Sequence, residues 1–207
     1  FAICSAYGQC ADESNVYSFE YDGRTYEVVK ENKNWVKAAA CAVEREGFLA
    51  EIIDADEQSA IFSQLSSIAD VTNSNTTAPD GGGKAYVWIG GNDMSAEGNW
   101  IWDGNNDGTG TQFWMGTTTG SAVGGPYNNW GNEPDDYLND QDGLAISLNG
   151  WPFGSAGQWN DVQDVLWNKN GKNSPNKNNK TSVPSSLDKK DSNNVPSVFD
   201  GMKKKDE

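Results

Sequence analysis

Apolar and polar residues alternate from Tyr17 to Tyr21 and again from Thr25 to Val29, with Asp22-Gly23 between them, and this pattern predicts a β-hairpin. The period then lengthens. Trp35, Ala38, Ala39, Ala42 and Val43 recur at helical spacing, which predicts a helix from Trp35 to about Glu46, with Asn34 as its N-cap and Gly47 as its stop. Phe48 to Ile52 reads as a short extended connector. A second helix, capped by Asp54 or Asp56, carries the stripe Ile61, Phe62, Leu65 and Ile68. Residues 70 to 83 are loop-like, rich in Asn, Thr, Gly and Pro. Ala85 to Gly90 is too short an apolar run for a helix and predicts a buried strand, followed by a second at Asn99 to Trp102. From Asp103 to Leu144 loops dominate, a length that in a compact domain signals function or disorder; Trp114, Pro126, Trp130 and Pro134 give it anchors and favour order. An apolar run at Leu144–Leu148 follows. Beyond residue 168 the chain is polar, rich in Asn, Lys and Ser, and reads as disordered apart from a weak apolar patch at Val195 to Phe199, which Pro196 interrupts. The chain thus divides into a Cys-bearing leader at 1–15, a domain at 16–167 and a tail at 168–207.

Composition narrows the function classes. The 207 residues suffice for one core and are short for two. Nine tryptophans among 36% hydrophobic residues point to a few large aromatic anchors joined by polar loops. The net charge of -15 argues against nucleic acid, whose phosphates need clustered Lys and Arg; it suits a cation site or simple solubility. No run of about 18 apolar residues is present, so no membrane insertion is expected. Of three cysteines, Cys4 and Cys10 are close enough to close a small loop, which leaves Cys41 as a buried thiol or an intermolecular partner. Phe1-Ala2 in place of an initiator methionine suits a mature, processed or trimmed chain, and Asn75 and Asn179 each begin a glycosylation sequon.

The stretch from Asn128 to Asp161 concentrates the candidate chemistry. It contains Asn128-Asn129-Trp130-Gly131-Asn132-Glu133-Pro134-Asp135-Asp136-Tyr137, then Asn139-Asp140-Gln141-Asp142, and finally Trp159-Asn160-Asp161. Histidine is absent and cysteine scarce, so a soft-metal centre or an imidazole or thiol catalyst is hard to build. Carboxylate and carboxamide oxygens are plentiful, and hard cations such as Ca²⁺ take six to eight of them.

Several separated motifs in a fixed order carry a resemblance: Trp88-Ile89-Gly90-Gly91-Asn92-Asp93, Glu97-Gly98-Asn99-Trp100, Asn129-Trp130, Glu133-Pro134-Asp135 and Trp159-Asn160-Asp161. Together with Ala39-Ala40-Cys41 and Phe48-Leu49-Ala50 they resemble the C-type lectin domain family over roughly residues 17 to 165. That resemblance implies an α+β fold with two helices flanking small antiparallel sheets and a long calcium-binding loop region. It implies a non-enzymatic, secreted lectin whose Ca²⁺ directly coordinates sugar hydroxyls. The matching metal positions are Glu133, Asp135, Gln141, Asn160 and Asp161, with the bond before Pro134 cis. Gln141 departs from the family's glutamate and lowers the site's charge by one. Asp93, Glu97, Asp136 and Asp142 match an auxiliary Ca²⁺ site; four carboxylates gathered there repel unless a cation separates them.

Glu133, Asp135, Tyr137 and Asn160 are the implied sugar contacts. Because Glu133 and Asp135 only accept hydrogen bonds when ionised, the triplet lacks the amide that sorts mannose-type from galactose-type sugars in the family. Tyr137 stands where galactose-type sites place an aromatic ring, which inclines the reading to galactose or N-acetylhexosamine. The alternative is a calcium-stabilised protein- or surface-binding adhesin or ice-binding module on the same fold. A glycosidase fits less well, since carboxylates one residue apart across a proline suit chelation rather than two faces of a sugar. The family also closes its sheet with a final strand bearing a cysteine; Val162 to Trp167 is the candidate strand here, and no cysteine follows Cys41.

Overall fold

A computed structural model of the chain describes residues 9–67, 71 and 77–164, and the backbone of 195–201. The predicted hairpin is present: β1 (Val16–Tyr21) pairs antiparallel with β2 (Arg24–Lys33), turning through Asp22 and Gly23, both at positive φ. Helix α1 (Trp35–Glu44) begins at Asn34, whose side chain accepts from Lys37 N at 3.0 Å. It ends two residues earlier than its periodicity predicts. Glu46 adopts the left-handed conformation, φ 67°, while Gly47 N–H returns to the Ala42 carbonyl at 2.9 Å. The buried face of α1 is Trp35, Ala38, Ala39, Cys41 and Ala42; Val43, expected in that stripe, lies half in solvent.

After β3 (Phe48–Leu49), helix α2 (Ala55–Ser67) is capped by Asp54, which accepts from Glu57 N at 2.8 Å, so of the two candidate caps Asp54 fills the role. Ile61 and Leu65 are buried and Phe62 packs beside them; Ile68 lies outside the described residues.

The sheet is built on β5 (Lys84–Asn92), buried almost throughout. Its neighbours include β4 (Thr77–Ala78), β6 (Asn99–Trp102) and β9 (Gly143–Ser147), all antiparallel to it. Gly90 permits this density, because a side chain there would come within 2.5 Å of the Leu49 carbonyl. Beyond β6 the expected long loop contains β7 (Thr111–Met115) and β8 (Ser121–Ala122), which extend the sheet. β10 (Trp159–Val162) pairs with β9 and sets Asn160 opposite Ala145 and Asp161 opposite Leu144.

Two expectations need correction. In the candidate closing strand Val162 to Trp167, Val162 ends β10 and Gln163 and Asp164 lie outside any strand, while residues 165–194 lie outside the described residues. The closing strand is β11 (Val195–Gly201), which takes in the weak apolar patch at Val195 to Phe199. It pairs antiparallel with β2 and β3 and touches β5 in parallel at Ser197 and Trp88. Pro196, which lacks an N–H for a regular ladder, falls where the β11–β2 register shifts between Val195 and Ser197. The second correction concerns cysteine. Cys10 is bonded to Cys41 with Cα atoms 5.4 Å apart, so the leader is tied to α1 and Cys41 is neither a free thiol nor an intermolecular partner. Cys4 and both sequon asparagines lie outside the described residues.

Aromatic rings fill the space beneath the loop region. Trp102 meets Trp159 edge-on at 5.5 Å and stacks on Phe113 at 4.4 Å, while Trp100 meets Trp130 edge-on at 5.0 Å. Contacts of this type add roughly 0.5–1.5 kcal/mol each beyond simple burial. The Trp159 indole N–H donates to Gln58 Oε1 at 2.7 Å, fixing β10 to α2. These contacts, with those of Trp130 to Phe113 and Trp159, join β6, β7 and β10 to the segment that carries the acids.

Candidate metal centre

The acidic loop is fastened to β10 by backbone bonds before its side chains come into play. Trp159 N donates to the Asn129 carbonyl at 2.8 Å, and Gly131 N donates to the Trp159 carbonyl at 3.0 Å. Asn132 N donates to the Phe153 carbonyl at 2.6 Å, closing the far side. The Glu133–Pro134 bond that follows is cis. Carboxylate oxygens of Glu133, Asp135 and Asp161 then lie within 4.8 Å of one another.

Glu133 and Asp161 are each held by one oxygen and leave the other for a ligand. Glu133 Oε1 accepts from the Trp151 indole at 3.0 Å, while its Oε2 is buried without a hydrogen-bond partner. Asp161 Oδ2 accepts from Asp136 N at 2.8 Å, and its Oδ1 is likewise buried and unpartnered. Burial pushes the Glu133 carboxyl up to about 7, with Asp135 adding to the rise and the Trp151 N–H opposing it. Burial also carries Asp161 well above the carboxylate range, with Glu133 and Asp135 contributing. An unpaired buried carboxylate oxygen costs several kcal/mol of lost hydration, and a hard cation among these three removes that cost. The donor set fits Ca²⁺.

Asn160 and Gln141 approach the same place with amides. Asn160 Nδ2 donates to the Tyr86 hydroxyl at 2.9 Å, and Gln141 Oε1 accepts from Tyr137 N at 2.6 Å. Both line an open cavity of about 230 Å³, together with Glu133, Asp135, Tyr137 and Asp80. Asp161 is buried behind it. Tyr137 and Phe153, 54% and 51% exposed, bring aromatic surface to the cavity walls.

The second acid set is separate. Asp93, Glu97 and Asp142 place carboxylate oxygens within 4.8 Å of one another. Asp93 Oδ2 accepts from Gly98 N at 2.8 Å and its Oδ1 is buried without a partner. Burial, then repulsion from Glu97 and Asp142, pushes Asp93 up to about 9; Glu97 is raised by burial, then by Asp136 and Asp142. Asp136 is the one residue of the expected auxiliary set outside this trio. It lies between the two sets, its N–H bound to Asp161 and its carboxylate repelling Glu97.

Three residues of the site carry no signal in the sequence. Asp80 sits in a turn whose Asp-Gly-Gly-Gly run signals only chain reversal. Tyr86 is one apolar position of a buried strand. Trp151 lies in Trp151-Pro152-Phe153-Gly154, a turn signal whose indole donor has no sequence signature.

With fold and site in view, the class is defined: residues 31–170 match the family model of the lectin C-type domain, and the chain belongs to the C-type lectin domain family, a non-enzymatic binding family. Among solved structures, the mouse scavenger receptor C-type lectin carbohydrate-recognition domain is similar at 15% identity and TM-score 0.53, covering 90% of this chain and 96% of the other. The cow CD23 C-type carbohydrate-recognition domain, determined in the presence of a GlcNAc2Man3 oligosaccharide, is similar at 18% identity and TM-score 0.51, covering 90% and 94%. Human lithostathine is similar at 15% identity and TM-score 0.51, covering 90% and 97%. Comparison with curated protein sequences gives no match. At these identities the likeness concerns the fold. Among the described residues no helix is long and apolar enough to cross a membrane.

Proposed function

We propose that this domain binds glycans through Ca²⁺ held by Glu133, Asp135, Gln141, Asn160 and Asp161, with a second Ca²⁺ at Asp93, Glu97 and Asp142 under the influence of Asp136. The observation that carries the reading is the pair of buried, unpartnered oxygens, Glu133 Oε2 and Asp161 Oδ1, converging with Asp135 beside an open cavity. When bound, the ion supplies a Lewis-acid contact to two neighbouring sugar hydroxyls. The protein's part is orientation: the Trp151 indole fixes Glu133, the Tyr86 hydroxyl fixes the Asn160 amide, and Asp136 N–H fixes Asp161. Glu133 and Asp135 accept from the sugar hydroxyls. Tyr137 lines the same cavity, and an aromatic ring there suits the apolar face of a galactose-configured sugar, which supports galactose or N-acetylhexosamine as the sugar class. The disulfide fits an extracellular location.

Titration calorimetry with N-acetylgalactosamine and galactose, in Ca²⁺ and then in chelator, tests the reading. Wild type binds only with Ca²⁺, and Glu133→Ala and Asn160→Ala lose the binding while keeping a cooperative melt. Wild-type affinity in both variants, or binding that survives chelation, refutes it.

A further inference from the structure

The Gln141 amide can face an ion with its oxygen or with its NH₂ group, and only the oxygen is a ligand. Asp80 settles which. Its Oδ2 accepts from Gln141 Nε2 at 3.0 Å and from Gln163 N at 2.8 Å, while its Oδ1 is buried without a partner. A carboxylate can only accept, so this bond turns the amide's NH₂ towards the Asp80 turn and its oxygen away, to where Tyr137 N now donates to it. That oxygen keeps a second lone pair for a cation.

The turn is itself part of the site wall. Asp80, Gly81 and Gly82 line the cavity, the Tyr86 hydroxyl donates to the Gly81 carbonyl at 2.8 Å, and the same hydroxyl accepts from Asn160. Gly81 cannot carry a side chain here, since a Cβ would come within 2.4 Å of the Tyr86 ring.

We propose that Asp80 is a positioning residue for the calcium site: it locks the Gln141 carbonyl towards the ion and supplies, from the neighbouring turn, the negative charge that a glutamine in that position lacks. The inference rests on the function proposed above and assigns the Asp80 turn a role in it. Losing an outer residue that orients a metal ligand lowers metal affinity about 10- to 100-fold. Asp80→Ala therefore weakens Ca²⁺ binding by about that factor in calorimetry of the full chain. The double variant Asp80→Ala/Gln141→Glu recovers to within a few-fold of wild type, because a carboxylate offers oxygen whichever way it turns and restores the charge. A merely structural loss is not rescued this way, since the carboxylate introduced by Gln141→Glu does not replace the acceptor that Gln163 N loses with Asp80.

A second readout needs no metal. In calcium-free ¹⁵N-labelled protein the Gln141 side-chain amide is protected from hydrogen exchange in wild type and exchanges freely in Asp80→Ala. Unchanged Ca²⁺ affinity in Asp80→Ala, a double variant as weak as the single, or an unprotected Gln141 amide in wild type each overturns the proposal. Absence of any Ca²⁺ binding by wild type refutes the glycan-site reading itself, and with it any role of Asp80 towards the ion.

Discussion

Without calcium, the acid sets should make this domain less stable as pH rises, and Glu133 gives the size of the effect. This residue is 4% exposed, and its carboxyl is raised from 4.5 to about 7, chiefly by burial. In that window the folded state holds a proton that the unfolded state has released, so the contribution to stability is full below pH 4.5 and is lost as pH rises through 7. At 1.36 kcal/mol per pKa unit the loss from Glu133 alone is on the order of 3 kcal/mol. For a chain of this size that corresponds to a drop in Tm of roughly 6–12 °C. Asp161 and Asp93, also raised, act in the same direction. Groups with lowered values, such as Glu31, act oppositely but below that window.

Scanning calorimetry in chelator between about pH 5 and pH 8 checks this, with a parallel series in millimolar Ca²⁺. Calcium requires the ionised carboxylates, so it should stabilise little at the acid end and strongly at the alkaline end, cancelling the slope. Glu133→Gln mimics the protonated acid. In chelator at the alkaline end it should melt above wild type, yet gain less from Ca²⁺. A chelated protein whose Tm is flat or rises over this range, or a Glu133→Gln variant that melts below wild type at the alkaline end, refutes the reasoning.

Two further outcomes are expected. Cys10→Ser/Cys41→Ser releases a loop closed across 31 residues and should lower stability by about 3–4 kcal/mol by loop entropy, read from urea melts; a loss under about 1 kcal/mol contradicts the tie between leader and α1. Asp93→Asn removes one carboxylate of the second trio and should reduce bound Ca²⁺ from two ions to one by elemental analysis after gel filtration, with the glycan site retained; two ions still bound refutes the assignment.

What the sequence discloses and what it hides divide by the range of the interactions involved. The β1–β2 hairpin and the helix starts at Asn34 and Asp54 are decided within a few residues, by alternation, a turn and a cap, and so can be read directly. The acids are legible for another reason: Glu133-Pro134-Asp135 and Trp159-Asn160-Asp161 are fixed in order even though the fold must bring them together. β11 is the opposite case. Val195–Gly201 has a proline, a serine and an aspartate among seven residues, and its local pattern argues for no strand at all. It is a strand because β2 and β3 offer it unpaired backbone groups, and hydrogen-bonding demand is not written in the segment that meets it. Cys10 misleads in the same way, since nearness in sequence favours Cys4 whereas α1 folds back to present Cys41. Asp80 joins these cases. Its partners Gln141 and Gln163 lie 61 and 83 residues away, and one oxygen shared between them fixes a side chain of the site that no local spacing could have connected to it.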